Sequence, residues 1–143
     1  MGVLFISSLY LETEYYRNRL SENGYYVDGA ENVVNALPKL DTAYDAILFD
    51  PYFLSFGDHT KKGFPSGVDL EDPLSLGLWF YDKIREGKNS RSQLFLIPLR
   101  LREERLMILK TRMKQDSGNV HLCDLLETLP SKLCDLMNKT LRK

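Results

Sequence analysis

The sequence has few of the features that mark secreted or membrane proteins. Its two cysteines, Cys123 and Cys134, lie among apolar residues without a CxxC or Cys/His spacing, so neither a disulfide framework nor a zinc site is indicated. No apolar run approaches the roughly 20 residues that a membrane helix needs, and no secretory leader precedes the first predicted strand. We therefore expect a cytoplasmic protein with reduced thiols.

An excess of charge of one sign is lacking as well. The 19 Lys and Arg residues are balanced by 20 Asp and Glu, so we expect no general attraction to nucleic acid or to an anionic membrane. With 143 residues, of which 43% are hydrophobic, the chain is long enough to bury the core of one domain. We expect that domain to span residues 1–143.

What the sequence does contain is an alternation of short apolar runs with helical patterns. The run 44–50 suits a strand covered on both faces, and similar runs predict strands at about 3–6, 25–27, 93–98 and 120–123. Apolar spacing predicts helices at about 11–23, 33–37, 74–85, 101–115 and 131–142, with Asn32 as the cap of the second. This alternation predicts an α/β fold of the flavodoxin-like (βα)5 type, a three-layer sandwich with a parallel five-stranded sheet of order 2-1-3-4-5.

A long loop at about 51–73 interrupts this alternation after the third strand. Loops of this length inside a compact domain are usually functional or disordered. The loop contains Phe53, Phe56 and Phe64, whose rings are costly to leave in water. These rings are expected either to fold back over the Asp50 edge of the sheet or to meet a partner.

Asp50 is the first candidate for function, because ligands in open α/β sheets bind at the carboxyl ends of the strands. It is either a reactive carboxylate or a structural one that accepts hydrogen bonds from loop amides. His59 and His121 have no carboxylate or cysteine at ligand spacing, so no metal site is indicated. Ser7 and Ser8 have neither a nucleophile elbow nor a histidine partner, so no catalytic residue is indicated.

Several stretches together resemble the receiver domain of bacterial two-component response regulators, over nearly the whole chain. The spacing from Leu4-Phe5-Ile6 to Gly24-Tyr25-Tyr26-Val27 is similar to that family's opening, and 44–50 resembles its third strand. Residues 77–85 look like its third helix, and Pro130 resembles the start of its fifth. The resemblance implies a role in phosphorelay signal transduction, with Asp50 at the phosphoacceptor position.

The departures from the family pattern fall on its reactive positions. Ser7 and Ser8 stand where receivers carry the acidic pair that binds Mg²⁺, and neutral hydroxyls are poor replacements for carboxylates. The family's switch Ser or Thr falls on Pro98 or Leu99, and its lysine falls on Leu129. The resemblance therefore implies an atypical, degenerate receiver, or pseudoreceiver, that is not an enzyme and needs no cofactor. Mg²⁺ is expected only if Asp50 is phosphorylated.

The register of the fifth strand stays open. The stretch from Pro98 to Pro130 is longer than the family usually has, so Lys132 or Arg100 is an alternative source of the basic group.

The fourth predicted helix is rich in basic residues, with six Arg and Lys from Arg100 to Lys114 against two Glu. Without interleaved aromatic residues this is weak support for nucleic-acid binding, and a solvated helix face is the simpler interpretation. The resemblance favours a protein partner, because receivers use helix four, strand five and helix five for output and pairing. The partner-surface candidates are Arg102, Arg105, Lys110, Arg112, Phe56 and Phe64.

Three functional hypotheses remain at this point. The first is a receiver-like signalling domain that acts by protein-protein interaction without normal phosphorylation-dependent switching, with other signalling proteins or a second copy as its partners. The second is a functional atypical receiver phosphorylated on Asp50. The third is an enzyme or a binder of a phosphate or nucleotide on a flavodoxin-like fold.

Overall fold

The fold is a parallel sheet with helices on both faces. A computed structural model describes residues 2–7, 10–52, 54–57, 64–69, 72–97, 103–116, 118–123 and 130–142. Within them, the strands form one sheet of order β2-β1-β3-β4-β5, which confirms the predicted order. The strands are β1 (Gly2–Ile6), β2 (Tyr26–Ala30), β3 (Ala46–Phe49), β4 (Gln93–Leu96) and β5 (Val120–Leu122).

Helices connect successive strands throughout this part of the chain. They are α1 (Tyr10–Glu22), α2 (Val33–Ala36), α3 (Pro73–Glu86), α4 (Glu103–Met113) and α5 (Pro130–Leu141), and a 3₁₀ helix (Leu37–Asp41) directly follows α2. As predicted, Asn32 caps α2, because its side-chain oxygen accepts a hydrogen bond from the backbone N–H of Asn35 at 2.8 Å. None of the described helices is both long and apolar enough to cross a lipid bilayer.

The central strand is β3, which pairs with β1 on one side and β4 on the other. All four of its residues are at most 1% exposed, as expected for an apolar strand covered on both faces. The register pairs Ile6 of β1 with Phe49 of β3 and Phe49 with Leu96 of β4. The three strands therefore end at the same level, and the residues that follow them share one edge of the sheet.

Successive residues of each strand pack alternately into two separate cores on the two faces of the sheet. Phe5, Leu48 and Phe95 pack with buried residues of α1 and α5, including Leu20 and Met137. The residues next to them in each strand face the other way, against α2, α3 and α4. The second core includes Ile6, Ile47, Phe49, Leu96, Val33, Phe80, Ile84 and Leu109. This is the predicted three-layer sandwich.

Two polar clusters fix the connections away from the Asp50 edge. Asp28 in the edge strand β2 accepts hydrogen bonds from Lys39 Nζ and Tyr44 Oη, each at 2.8 Å. At the opposite side of the sheet, Arg85 of α3 lies 2.7 Å from Asp116 and also donates to three backbone carbonyls. The side chains of Arg85 and Asp116 are only 10% and 12% exposed. Both clusters join segments that are distant in sequence.

Candidate functional site

Ser7 and Asp50 are neighbours at the carboxyl edge of the sheet. Each directly follows a strand residue of the pair Ile6 and Phe49, so the parallel register places them side by side. Both residues are half-buried. The backbone N–H of Ser7 donates to the carbonyl of Ala30 at 3.0 Å, and Asp50 Oδ1 accepts a hydrogen bond from the backbone N–H of Tyr52 at 2.9 Å. The structure thus brings together two of the predicted site positions.

The other predicted site positions cannot be placed in the same way. Ser8, Pro98, Leu99 and Leu129 lie outside the described residues, so their assignment to the site stays a prediction. Phe53 of the long loop, His59, the alternative basic residue Arg100 and the partner-surface candidate Arg102 also lie outside the described residues. Lys132, the alternative basic group, lies in α5 with an exposed side chain.

The chain leaves Asp50 through a turn that packs tightly against α3. Pro51 is buried, and its backbone lies against Gly77 of α3. A Cβ atom on Gly77 would lie 1.8 Å from the Pro51 carbonyl oxygen, so only glycine permits this approach. Helical spacing places Gly77 in a helix, but the sequence gives no sign of this contact.

The next residues run away from Asp50 and cover the amino end of α2. The carbonyls of Ser55 and Phe56 accept hydrogen bonds from the backbone N–H groups of Val33 and Val34, at 2.9 and 3.0 Å. These are the first two amides of the helix, which have no partner inside it. The loop backbone therefore occupies the amides that a ligand would otherwise need at this helix terminus.

The phenylalanines of this loop that the structure describes fold back onto the protein. Phe56 and Phe64 are half-buried, and their ring centroids are 5.0 Å apart in an edge-to-face arrangement. Phe56 also packs against the core between the sheet and α2, α3 and α4. These two rings therefore fold back onto the protein toward α2, and no contact of theirs with the described residues places them over the Asp50 edge as predicted.

Two of the basic partner-surface candidates in α4 bind α3. Arg105 Nη1 lies 2.7 Å from Asp72 Oδ2, just before α3, and the Arg112 guanidinium lies 2.8 Å from Asp82 Oδ1. Arg112 also lies over the ring of Tyr81, 4.4 Å from its centroid. Lys110, in contrast, is exposed. The basic character of α4 therefore serves helix packing as well as the surface.

The outward face of α4 carries two large apolar side chains. Met107 and Ile108 are 65% and 45% exposed, whereas Leu109 is the fully buried residue of the helix. Exposed Glu103 lies one turn before Met107, and Lys110 lies one turn after it. Protein-binding surfaces have an apolar centre with a polar rim, and exposed apolar side chains with charged ones beside them are compatible with that arrangement.

The two cysteines and His121 pack against or hydrogen-bond to other parts of the fold. Cys123 and Cys134 are both buried in the core behind the sheet, and burial raises the pKa of Cys123 to about 11 and also raises the pKa of Cys134. His121 Nε2 is 2.8 Å from Gln93 Oε1, and its ring stacks on Phe95. Within the described ranges, no group of three or more His, Cys, Asp or Glu side chains is placed to hold a metal ion.

Comparison with known proteins finds similarity in structure. No protein-family model matches this sequence, and no curated protein sequence matches it. A response regulator receiver domain from Methanospirillum hungatei superposes with a TM-score of 0.71 at 13% identity, over 99% of this chain and 93% of its own. A two-component response regulator from Clostridium difficile gives 0.70 at 19% identity, over 100% and 97% of the two chains.

A third similar structure contains a bound metal ion. The receiver domain of a sensor histidine kinase from Pseudomonas aeruginosa, with a magnesium ion coordinated in its active-site cleft, superposes with a TM-score of 0.65 at 16% identity. The match covers 99% of this chain and 98% of that domain. At these levels of identity the similarity concerns the fold.

Proposed function

We propose that this chain, which has the fold of response regulator receiver domains, is a signalling domain that binds other proteins without phosphorylation-dependent switching. The observation that carries this proposal is the pair at the sheet edge. The residue beside Asp50 is Ser7, and the resemblance to receivers calls for a carboxylate there.

The chemistry of phosphoryl transfer explains why a serine in place of this carboxylate matters. Transfer to an aspartate requires metal ions and cationic groups that neutralise the charge on the phosphoryl oxygens. Mg²⁺ is held mainly through carboxylates, phosphates and water, so a serine hydroxyl is a poor ligand. The Pseudomonas receiver domain, by contrast, holds magnesium in its cleft. We propose that Asp50 here is a structural carboxylate that holds the turn to Tyr52, and that no cofactor takes part.

The outward face of α4 is the proposed binding surface. Met107 and Ile108 expose apolar area between Glu103 and Lys110, and burying that area against a partner would remove it from water. We propose that another signalling protein, or a second copy packed against α4, β5 and α5, covers this face. In this proposal the protein is a cytoplasmic, non-enzymatic pseudoreceiver.

Phosphorylation by a small-molecule donor tests the proposal. The intact mass of the full chain is measured after incubation with acetyl phosphate and Mg²⁺, beside an Asp50→Asn variant and a receiver domain that keeps its acidic pair. We expect an adduct on that receiver and none on this chain. Because the missing carboxylates are the proposed cause, a Ser7→Asp, Ser8→Asp variant should gain an adduct that Asp50→Asn removes.

The opposite result would favour the second hypothesis. An adduct on the wild-type chain that is absent from Asp50→Asn would make this protein an atypical receiver that is phosphorylated on Asp50. In that case the binding face on α4 would be under phosphorylation control, and the proposal would be wrong.

A further inference from the structure

The turn that follows Asp50 and the helix α4, which carries the proposed binding face, both contact the first turns of α3. On one side, the backbone of Pro51 lies directly against Gly77, with no room for a side chain between them. On the other side, Asp72 at the start of α3 contacts Arg105 of α4. The amino-terminal part of α3 is therefore packed between the residue after Asp50 and the helix that carries the exposed apolar pair.

Asp72 has two roles with one carboxylate. Its Oδ1 accepts a hydrogen bond from the backbone N–H of Leu74 at 3.2 Å and so caps α3. Its Oδ2 accepts a charge-assisted hydrogen bond from Arg105 at 2.7 Å. The cap is held to the preceding loop as well, because the backbone N–H of Asp69 donates to Ser75 Oγ at 3.0 Å. The start of α3 therefore has contacts with α4 and with the preceding loop at the same time.

We propose that the first two turns of α3 are a relay that couples the Asp50 edge to α4, with Asp72 as the residue that links α3 to α4. A molecule bound at the Asp50 edge shifts α3 through Pro51 and Gly77, and Arg105 transmits this shift to α4. Because coupling between two sites is reciprocal, a partner bound to α4 also acts on the Asp50 edge. This inference rests on the proposed function, since it takes α4 as the binding face.

This route does not require a hydroxyl after the fourth strand. In this sequence that position falls on Pro98 or Leu99, and neither side chain can donate a hydrogen bond. A relay through α3 needs only the backbone contact at Gly77 and the ion pair of Asp72 with Arg105, and both are present.

The second ion pair between α3 and α4 provides a matched control. Arg112 contacts Asp82 and Tyr81 toward the carboxyl end of both helices, away from Asp72 and Gly77. Loss of either arginine frees one end of α4. Only the loss of Arg105 should change the amide hydrogen exchange of residues near Asp50.

Amide hydrogen exchange of the full chain, followed residue by residue by NMR, tests the relay. In Arg105→Gln we expect faster exchange in the first turns of α4 and also at Tyr52, Val33 and Val34, whose amides bind Asp50 and the loop after it. An exposed or half-exposed ion pair contributes little, so the acceleration should be about two- to five-fold. In Arg112→Gln, exchange should change only toward the end of α4.

A second variant separates the ion pair from the helix cap. Asparagine caps helices as well as aspartate does, so Asp72→Asn removes the charge and keeps the cap. It should reproduce the Arg105→Gln pattern, including the effect at Tyr52, even if Arg105→Gln itself fails to fold.

Two results would overturn the relay. One is acceleration confined to α4 in both Arg105→Gln and Asp72→Asn. The other is an equal effect at Tyr52 from Arg112→Gln, which would indicate general loosening. Neither result depends on whether Asp50 takes up a phosphoryl group, so the relay and the proposed function can fail separately.

Discussion

Replacement of Gly77 by alanine should destabilise the protein, although Gly→Ala inside a helix is usually stabilising. Inside a helix, glycine is less favourable than alanine by about 0.5–1 kcal/mol, so Gly→Ala normally stabilises a protein. At this position the new Cβ would lie 1.8 Å from the Pro51 carbonyl oxygen, 2.6 Å from its carbon and 2.9 Å from Cα. All three are backbone atoms, so no side-chain rotation can relieve the overlap.

The magnitude follows from the balance of these two effects. Overpacking a well-packed site typically costs about 1–3 kcal/mol, and moving Pro51 also disturbs the buried turn after β3. After the gain in helix propensity is subtracted, we expect a net loss in the free energy of unfolding of about 1–2 kcal/mol. For a chain of this size that corresponds to a fall in Tm of roughly 3–8 °C.

Urea unfolding followed by far-UV circular dichroism measures this loss. The control is Gly29→Ala, because a Cβ on Gly29 would meet no atom within 4 Å. The control should leave the free energy of unfolding within about 0.5 kcal/mol of the wild type. If Gly77→Ala proved as stable as the wild type or more stable, the close packing of α3 on Pro51, and with it the first step of the relay, would be refuted.

Two further predictions concern the polar clusters. Arg85→Ala removes the cationic partner of the nearly buried Asp116 carboxylate and leaves it with the hydrogen bond from Tyr81 Oη, so this variant should lower the free energy of unfolding by about 3 kcal/mol. Arg19→Ala breaks an exposed pair with Glu22 and should cost about 0.5 kcal/mol or less in the same urea titration. Similar losses in the two variants would contradict this prediction. Burial alone would raise the pKa of Asp28, but hydrogen bonds from Lys39 and Tyr44 and the Lys39 charge lower it below its ordinary value. Because the pKa of Asp28 is lowered in the folded state, its ionised carboxylate stabilises the protein above a pH of about 4, and this stabilisation is lost as the pH falls further. The difference in Tm between the wild type and Asp28→Asn, measured from pH 3 to 7, should therefore shrink at the acid end. A difference in Tm that stays constant over this range would contradict the prediction.

The fold could be predicted from the sequence because β3 and its neighbouring strands are each marked by a clear apolar run. A short, almost wholly apolar run followed by Asp50 predicts a central parallel strand, and Ala46–Phe49 form that strand. The prediction was weakest for β2, which extends to Ala30 beyond the predicted end at Val27. Among the strands that the structure describes, β2 is an edge strand that pairs with β1. It includes Asp28 and Gly29, which interrupt the apolar pattern that the prediction relies on.

The candidate site was less accessible to sequence reasoning, because its contacts join distant segments. Arg105 and Arg112 look like members of one solvated basic face, and nothing local indicates that Asp72 and Asp82 pair with them. The packing of Gly77 on Pro51 depends on how α3 crosses the sheet, which a helical pattern does not specify. The placement of Asp50 beside Ser7 was predictable, since parallel strands that end in register bring their following residues together.

The division of the interior into two cores has a consequence for the evolution and engineering of this protein. Asp72, Gly77, Phe80 and Leu109 all belong to the half of the molecule built by α2, α3 and α4, while Cys134 and the rest of the α1 and α5 core lie behind the sheet. In the proposed function the exposed apolar pair lies on α4, whose buried residue Leu109 belongs to the second core. Substitutions that improve packing among the buried residues of α1 and α5 should therefore raise thermal stability and leave the exposed surface of α4 unchanged.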